Sequence, residues 1–119
     1  MIIPLFRIFD EQKAREFYMD YLDFKLDWEH RFDDLAPLYM QVSWGDLRIH
    51  LTEHHGDCSP GAAIRVLLED IEQYHAKLMQ KNYRYARPGI EVAPWNTKEL
   101  SVIDPFGNKI VFYEESDPV

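Results

Sequence analysis

The feature that most constrains this chain is an approximate internal repeat, in which Asp10 and Asp70 each open a similar run of elements about 60 residues apart. After Asp10, a plausible N-cap, Ala14, Phe17, Tyr18, Tyr21 and Leu22 recur at the spacing of one helix face, which predicts an amphipathic helix over 10–22. After Asp70, Gln73 completes a capping-box-like pair, and Ile71, Tyr74, His75, Leu78 and Met79 repeat that spacing up to Asn82, a residue that tolerates the left-handed conformation. The period then changes. Leu38, Met40, Val42 and Trp44 alternate with Tyr39, Gln41 and Ser43, as in a half-buried strand, and Gly45 and Asp46 mark a tight connection. In the next strand Leu47, Ile49 and Leu51 share a face, which leaves Arg48, His50 and Thr52 on the other. The turn segments WGDLRIHL and DPFGNKIVF occupy comparable places in the two halves.

The expected fold class is therefore α+β, a βαβββ module used twice, with curved mixed sheets forming a groove. Module 1 spans about 1–57 and module 2 about 58–119, within one domain, because 119 residues are too few for two independent cores. A single helix shields one face of a four-stranded sheet. The other face must meet a second module, from the same chain or from the partner in a homodimer, and function is expected there.

Composition narrows the function. Lys plus Arg total 13 against 21 for Asp plus Glu, a net charge of -8 that opposes binding to nucleic acid and slightly favours a cationic small molecule. No apolar run approaches the ~20 residues that span a bilayer, so no membrane partner is expected. In MIIPLFRIFDEQ, Asp10 and Glu11 arrive before a signal-like core can form, so export is not expected either. The single cysteine, Cys58, has no internal partner, and a reducing cytoplasm is the expected location.

The segments RIFDEQKAREFYMDYLDFK and PWNTKELSVIDPFGNKIVFYE resemble the glyoxalase, or vicinal-oxygen-chelate, superfamily, and within it the bleomycin-resistance proteins. The helix ending in FYxxxL is common to the whole superfamily. Trp95, Glu99 and the DPFGN turn before an alternating strand are closer to the drug-binding branch. Asp23 stands where the family more often has glycine, and Asp adopts the left-handed conformation at modest cost. The resemblance implies four metal-ligand positions, which fall at Ile3, His50, Ala63 and Val111. His50 alone of these could bind a divalent ion, whereas a catalytic site needs about three protein ligands. No metal and no cofactor are therefore expected.

Glu53, His54, His55 and Asp57 supply four potential ligands in a row, but neighbours in a strand point to opposite faces, and a solvated loop is the plainer reading. Cys58 and the serines lack a recognisable base. DPFGN reads as a β-turn and not as a phosphate loop.

The residues expected to contact a ligand are Trp28, Phe32, Tyr39, His50, Trp95, Asn108 and Tyr113. Aromatic side chains hold flat or cationic ligands by stacking and cation–π attraction of ~0.5 to 2 kcal/mol per contact. The resemblance implies that DWEHRF and the Trp95 loop line a drug groove, with Asp27, Glu29, Asp33 and Asp34 adding negative potential. Trp28 and Phe32 share one face of the alternation with Phe24, Leu26 and His30, so packing in the core or a dimer interface is an equal expectation for them. His50 is expected as a hydrogen-bonded wall of the cavity rather than a base, and a structural turn role competes with ligand contact at Asn108. Lys98, Lys109 and Arg48 would favour an anionic ligand if they faced the groove.

The function these features imply is metal-independent binding and sequestration of a cationic, amphipathic, bleomycin-type compound by a homodimer, without chemistry. The alternatives are a glyoxalase-type lyase or dioxygenase-like enzyme using His50 in an unusual site, and a binding module for a protein or another metabolite.

Overall fold

A computed structural model describes residues 1–115; the last four positions assigned to the second module lie outside the described residues. The chain forms two units, the first comprising Met1–Ala62 with the turn Asp104–Asn108, the second Ala63–Ile103 with the strand from Lys109. The fold is α+β, with one four-stranded mixed sheet in each unit.

In the first unit the strands are β1 (Leu5–Arg7), β2 (Lys25–His30), β3 (Tyr39–Trp44) and β4 (Leu47–Thr52), in the order β1-β4-β3-β2. β1 runs parallel to β4 and the other pairs are antiparallel. Helix α1 (Glu11–Arg15) starts as the sequence predicts, with the Asp10 carboxylate accepting from the Lys13 amide at 2.9 Å. It continues as a π-helix over Glu16–Tyr21, which the apolar spacing did not reveal. The wider turn closes through the Leu22 amide on the Phe17 carbonyl at 3.0 Å and seats the Phe17, Tyr18 and Tyr21 rings together in the core. Asp23 then takes a φ of +64°, the left-handed exit at the family's glycine position.

The core of this unit lies between the helix and one face of the sheet, and includes Phe6, Ala14, Phe17, Tyr18, Met40, Val42, Ile49 and Leu51. Alternation along β3 and β4 follows the sequence reading, and Gly45, at φ +59°, leads the two-residue connection between them. Thr52 departs from it. Although on the face opposite Ile49 and Leu51, it is fully buried, because its hydroxyl donates to Asp57 at 2.8 Å and accepts from the His54 amide.

β2 carries a bulge between Leu26 and Trp28: Leu26 pairs with Val42, and Trp28 pairs with Gln41. Strict alternation would set Phe24, Leu26, Trp28 and His30 on one face. The bulge instead keeps Phe24 in the core and brings Asp27 and Trp28 together on the face away from the helix.

The second unit has β5 (Ala63–Leu67), β6 (Ile90–Val92), β7 (Thr97–Ile103) and β8 (Lys109–Glu115) in the order β5-β8-β7-β6, again with one parallel pair, β5 with β8. Helix α2 (Ile71–Gln80) is capped by Asp70, which accepts from the Gln73 amide at 3.1 Å, and the chain leaves it through Asn82 at φ +51°. Ile71, Tyr74 and Leu78 pack against the side of the sheet bearing Leu100, Val102, Ile110 and Phe112.

The DPFGN turn is a knot of hydrogen bonds within the first unit. The Asp104 carboxylate accepts from Tyr18 Oη at 2.7 Å, from Asn108 Nδ2 at 2.8 Å, and from the amides of Phe106 and Asn108 at 2.8 Å. Asn108 also donates to the Arg7 carbonyl at 2.8 Å and accepts from the Ala62 amide at 3.3 Å. Its 1% exposure and full set of bonds make Asn108 a structural residue, which corrects the expectation that its amide orients a ligand.

Candidate functional site

In the first unit the sheet face away from the helix carries Asp27, Trp28, Tyr39, Gln41, Ser43, Arg48 and His50. Trp28 lies parallel to Tyr39, with ring centroids 5.9 Å apart at 8°, and meets His50 edge-on at 5.2 Å. The outer part of the indole remains open, at 43% exposure. Polar atoms join the same side chains: Tyr39 Oη is 2.6 Å from His50 Nδ1, and His50 Nε2 is 3.0 Å from Gln41 Oε1. Gln41 Nε2 and Ser43 Oγ then donate to the two Asp27 oxygens, each at 3.0 Å. These two bonds hold the Asp27 carboxyl below its ordinary range, while burial lowers the pKa of His50 and raises that of Tyr39. Gln41 and Ser43, which the sequence reading passed over, are thus part of the cluster, and their place on the His50 face was the available signal.

Phe32 lies beyond the strand, 81% exposed, with its ring edge-on to His30 at 5.1 Å and to His54 at 6.5 Å. Of the four carboxylates expected to supply negative potential, Asp27 is on this face. Glu29 turns to the helix side and pairs with Arg15, Asp33 caps the Leu35 amide, and Asp34 is exposed in the same loop. A shallow depression lined by Glu11, Gln12, Arg15, Glu16 and Asp20 follows the outer helix surface and shares no residue with the aromatic cluster.

In the second unit the face away from the helix is organised by Glu99. One of its oxygens accepts from Arg65 and from Trp95 Nε1, both at 3.0 Å, and from the Thr97 hydroxyl at 2.8 Å. Together these bonds, that from Arg65 foremost, hold its pKa down to about 2. Trp95 is 64% exposed, yet its indole is pinned by that bond in a turn whose Asn96 has φ +67°. The Arg65 guanidinium lies 4.5 Å above the Tyr113 ring. Arg65 and Thr97 were missed from the sequence because nothing local distinguishes a strand arginine that meets a glutamate 34 positions away. Of the three basic residues, Lys98 turns to the helix side and pairs with Glu72 at 3.0 Å, whereas Arg48 and Lys109 are exposed on the uncovered faces of their sheets, Arg48 on that of Trp28, where a positive charge favours an anionic group on a ligand.

Of the four positions that the superfamily uses for its metal, His50 alone carries a side chain able to coordinate one. His50 pairs across the sheet with Leu5, not Ile3, which precedes the strand; Ala63 pairs with Lys109, and Val111 with Arg65. Among the described residues no three His, Cys, Asp or Glu side chains converge as a metal site requires. Glu53 instead accepts from the Leu38 amide, and Asp57 from Thr52.

Residues 1–118 match a family model, that of glyoxalase superfamily proteins. The chain belongs to the glyoxalase superfamily. Solved structures share the fold: a bleomycin-resistance determinant encoded on transposon Tn5 superposes with a TM-score of 0.73 at 18% identity, covering 98% of both chains. A bleomycin-binding protein complexed with bleomycin gives 0.70 at 18% identity, also over 98% of both. An antibiotic-binding protein from Streptomyces sp. CB03234 gives 0.68 at 21%, over 98% of this chain and 97% of that one. Among curated proteins none matches the sequence. At these identities the likeness to solved structures establishes the glyoxalase-superfamily fold, not a ligand.

Proposed function

We propose that this protein binds and sequesters a flat, cationic, amphipathic small molecule of the bleomycin type, as a homodimer in the cytoplasm and without chemistry or metal. The observation that carries the reading is the open Trp28 indole, backed by Tyr39 and His50 on a sheet face that no helix of its unit covers. A tryptophan kept at a surface by aromatic and polar neighbours is preorganised for stacking, worth ~0.5 to 1.5 kcal/mol per ring pair beyond the area buried. Trp95, held by Glu99, offers a second such plane, and the net charge of -8, with Asp27 on the Trp28 face, suits a cation, while Arg48 on the same face suits an anionic group of an amphipathic ligand. That superfamily members of this fold bind bleomycin and other antibiotics supports the same reading.

The direct experiment is isothermal titration with metal-free and copper-loaded bleomycin. Micromolar or tighter binding is expected, weakened at least tenfold by Trp28→Ala with Trp95→Ala, and absence of heat at high protein concentration would overturn the reading.

The 2.6 Å contact between Tyr39 and His50 favours a second reading, a glyoxalase-type enzyme in which this pair moves a proton. Elemental analysis separates it: a stoichiometric metal that disappears in His50→Ala would replace sequestration with catalysis.

A further inference from the structure

The hydrogen-bond chain beside Trp28 has a direction. An ionised carboxylate only accepts, so Asp27 forces Gln41 to turn its NH2 toward it and its Oε1 toward His50. His50 Nε2 must then carry the ring proton, because an amide oxygen cannot donate. In the neutral imidazole Nδ1 is bare, and the Tyr39 hydroxyl gives it its single proton at 2.6 Å. The Tyr39 oxygen is left with lone pairs only.

We infer that Asp27 is a specificity-determining positioning residue: through Gln41 and His50 it presents the Tyr39 oxygen as an acceptor beside the Trp28 plane, selecting flat aromatic ligands edged with an N–H donor. This rests on the reading of the face as a small-molecule site and adds the chemistry of what it takes. A ligand edged with a bare ring nitrogen meets lone pair against lone pair, unless the Tyr39 hydrogen leaves His50 and strands Nδ1. The surroundings act the same way. The groups acting on the Tyr39 hydroxyl are the Asp57 carboxylate and the Cys58 thiol, with His54 edge-on to its ring at 6.3 Å. Lys25 and Arg48 act on Asp27 and help keep it ionised.

Indole and quinoline test this, being similar in size and differing in a donor N–H against an acceptor nitrogen. In an NMR titration at neutral pH, both are expected to perturb the Trp28 indole resonance, with indole binding about tenfold more tightly, the worth of one hydrogen bond. Tyr39→Phe keeps the stack and should bring the ratio to about one. Asp27→Leu, at an exposed strand position with Tyr39 untouched, should also lower it toward one, which a merely structural role would not do. Equal affinities in the unaltered protein, or a full ratio retained in Asp27→Leu, would overturn the inference while leaving the binding face intact. If neither probe reaches Trp28, the binding face itself falls, and the inference with it. The unaltered ratio and Tyr39→Phe decide the role of the Tyr39 oxygen even if Asp27→Leu does not fold.

Discussion

The two units share strand order, one parallel pair and an aspartate-capped helix, yet their uncovered sheet faces follow different electrostatic plans. In the first, a neutral imidazole links a phenol to an amide, and the indole of Trp28 is held by ring contacts. In the second, an Arg65–Glu99 ion pair sets the geometry, and the Trp95 indole is held by its N–H. The cores differ as well: eight positions after each cap stands Tyr18, donating to Asp104, or Leu78, packed in hydrocarbon. Topology is secured by the caps and the helix-side layer, so the opposite layer is free to diverge.

The largest break in this comparison comes from the buried polar knot. Asp104→Ala strands the Tyr18 hydroxyl, the Asn108 amide and two backbone N–H groups, and should cost about 3 to 5 kcal/mol, measured by urea unfolding. Leu78→Ala, the hydrocarbon counterpart, should cost about 2 to 5 kcal/mol through its cavity. The caps should behave alike if the repeat is real in energy as well as shape: Asp10→Ala and Asp70→Ala are each expected to cost about 1 kcal/mol.

The smaller effects are seen by titration. Glu99 has its folded pKa depressed to about 2, so its contribution is fully present above the unfolded value near 4.5 and is lost as pH falls from there through about 2. Carboxyl NMR should place its midpoint near 2, and Arg65→Leu should raise it. His50 is shifted in the same direction for the opposite reason, its charged form being disfavoured where that of Glu99 is favoured. Burial lowers its pKa, so the folded state resists protonation, and stability should decline as pH falls below the unfolded value of 6.5. Imidazole NMR should find a midpoint below 6.5, and a midpoint above it would contradict the bare Nδ1 on which the chain's direction depends.

Most of the fold is legible in local chemistry. Caps at Asp10 and Asp70, left-handed exits at Asp23 and Asn82, and the two-residue turn at Gly45 are each decided by a few adjacent residues. The placement of His50 away from the aliphatic face follows from alternation alone. What is not legible depends on partners far along the chain. The π-helical turns answer to packing of three aromatic rings, Asn108 reads as an available amide until Arg7 and Ala62 claim it, and Arg65 acquires meaning from Glu99. Glu29 reads as groove potential, but Arg15 draws it to the helix side.

The bulge at Leu26 and Trp28 works as a frameshift in the reading of faces. Residues before it are counted in one parity and serve the core; residues after it are counted in the other, and Trp28 is released to the surface. Asp27 is the extra residue, so its deletion would restore plain alternation and leave Trp28 opposite Gln41 on the outer face, while removing the carboxylate that the bulge adds to that face.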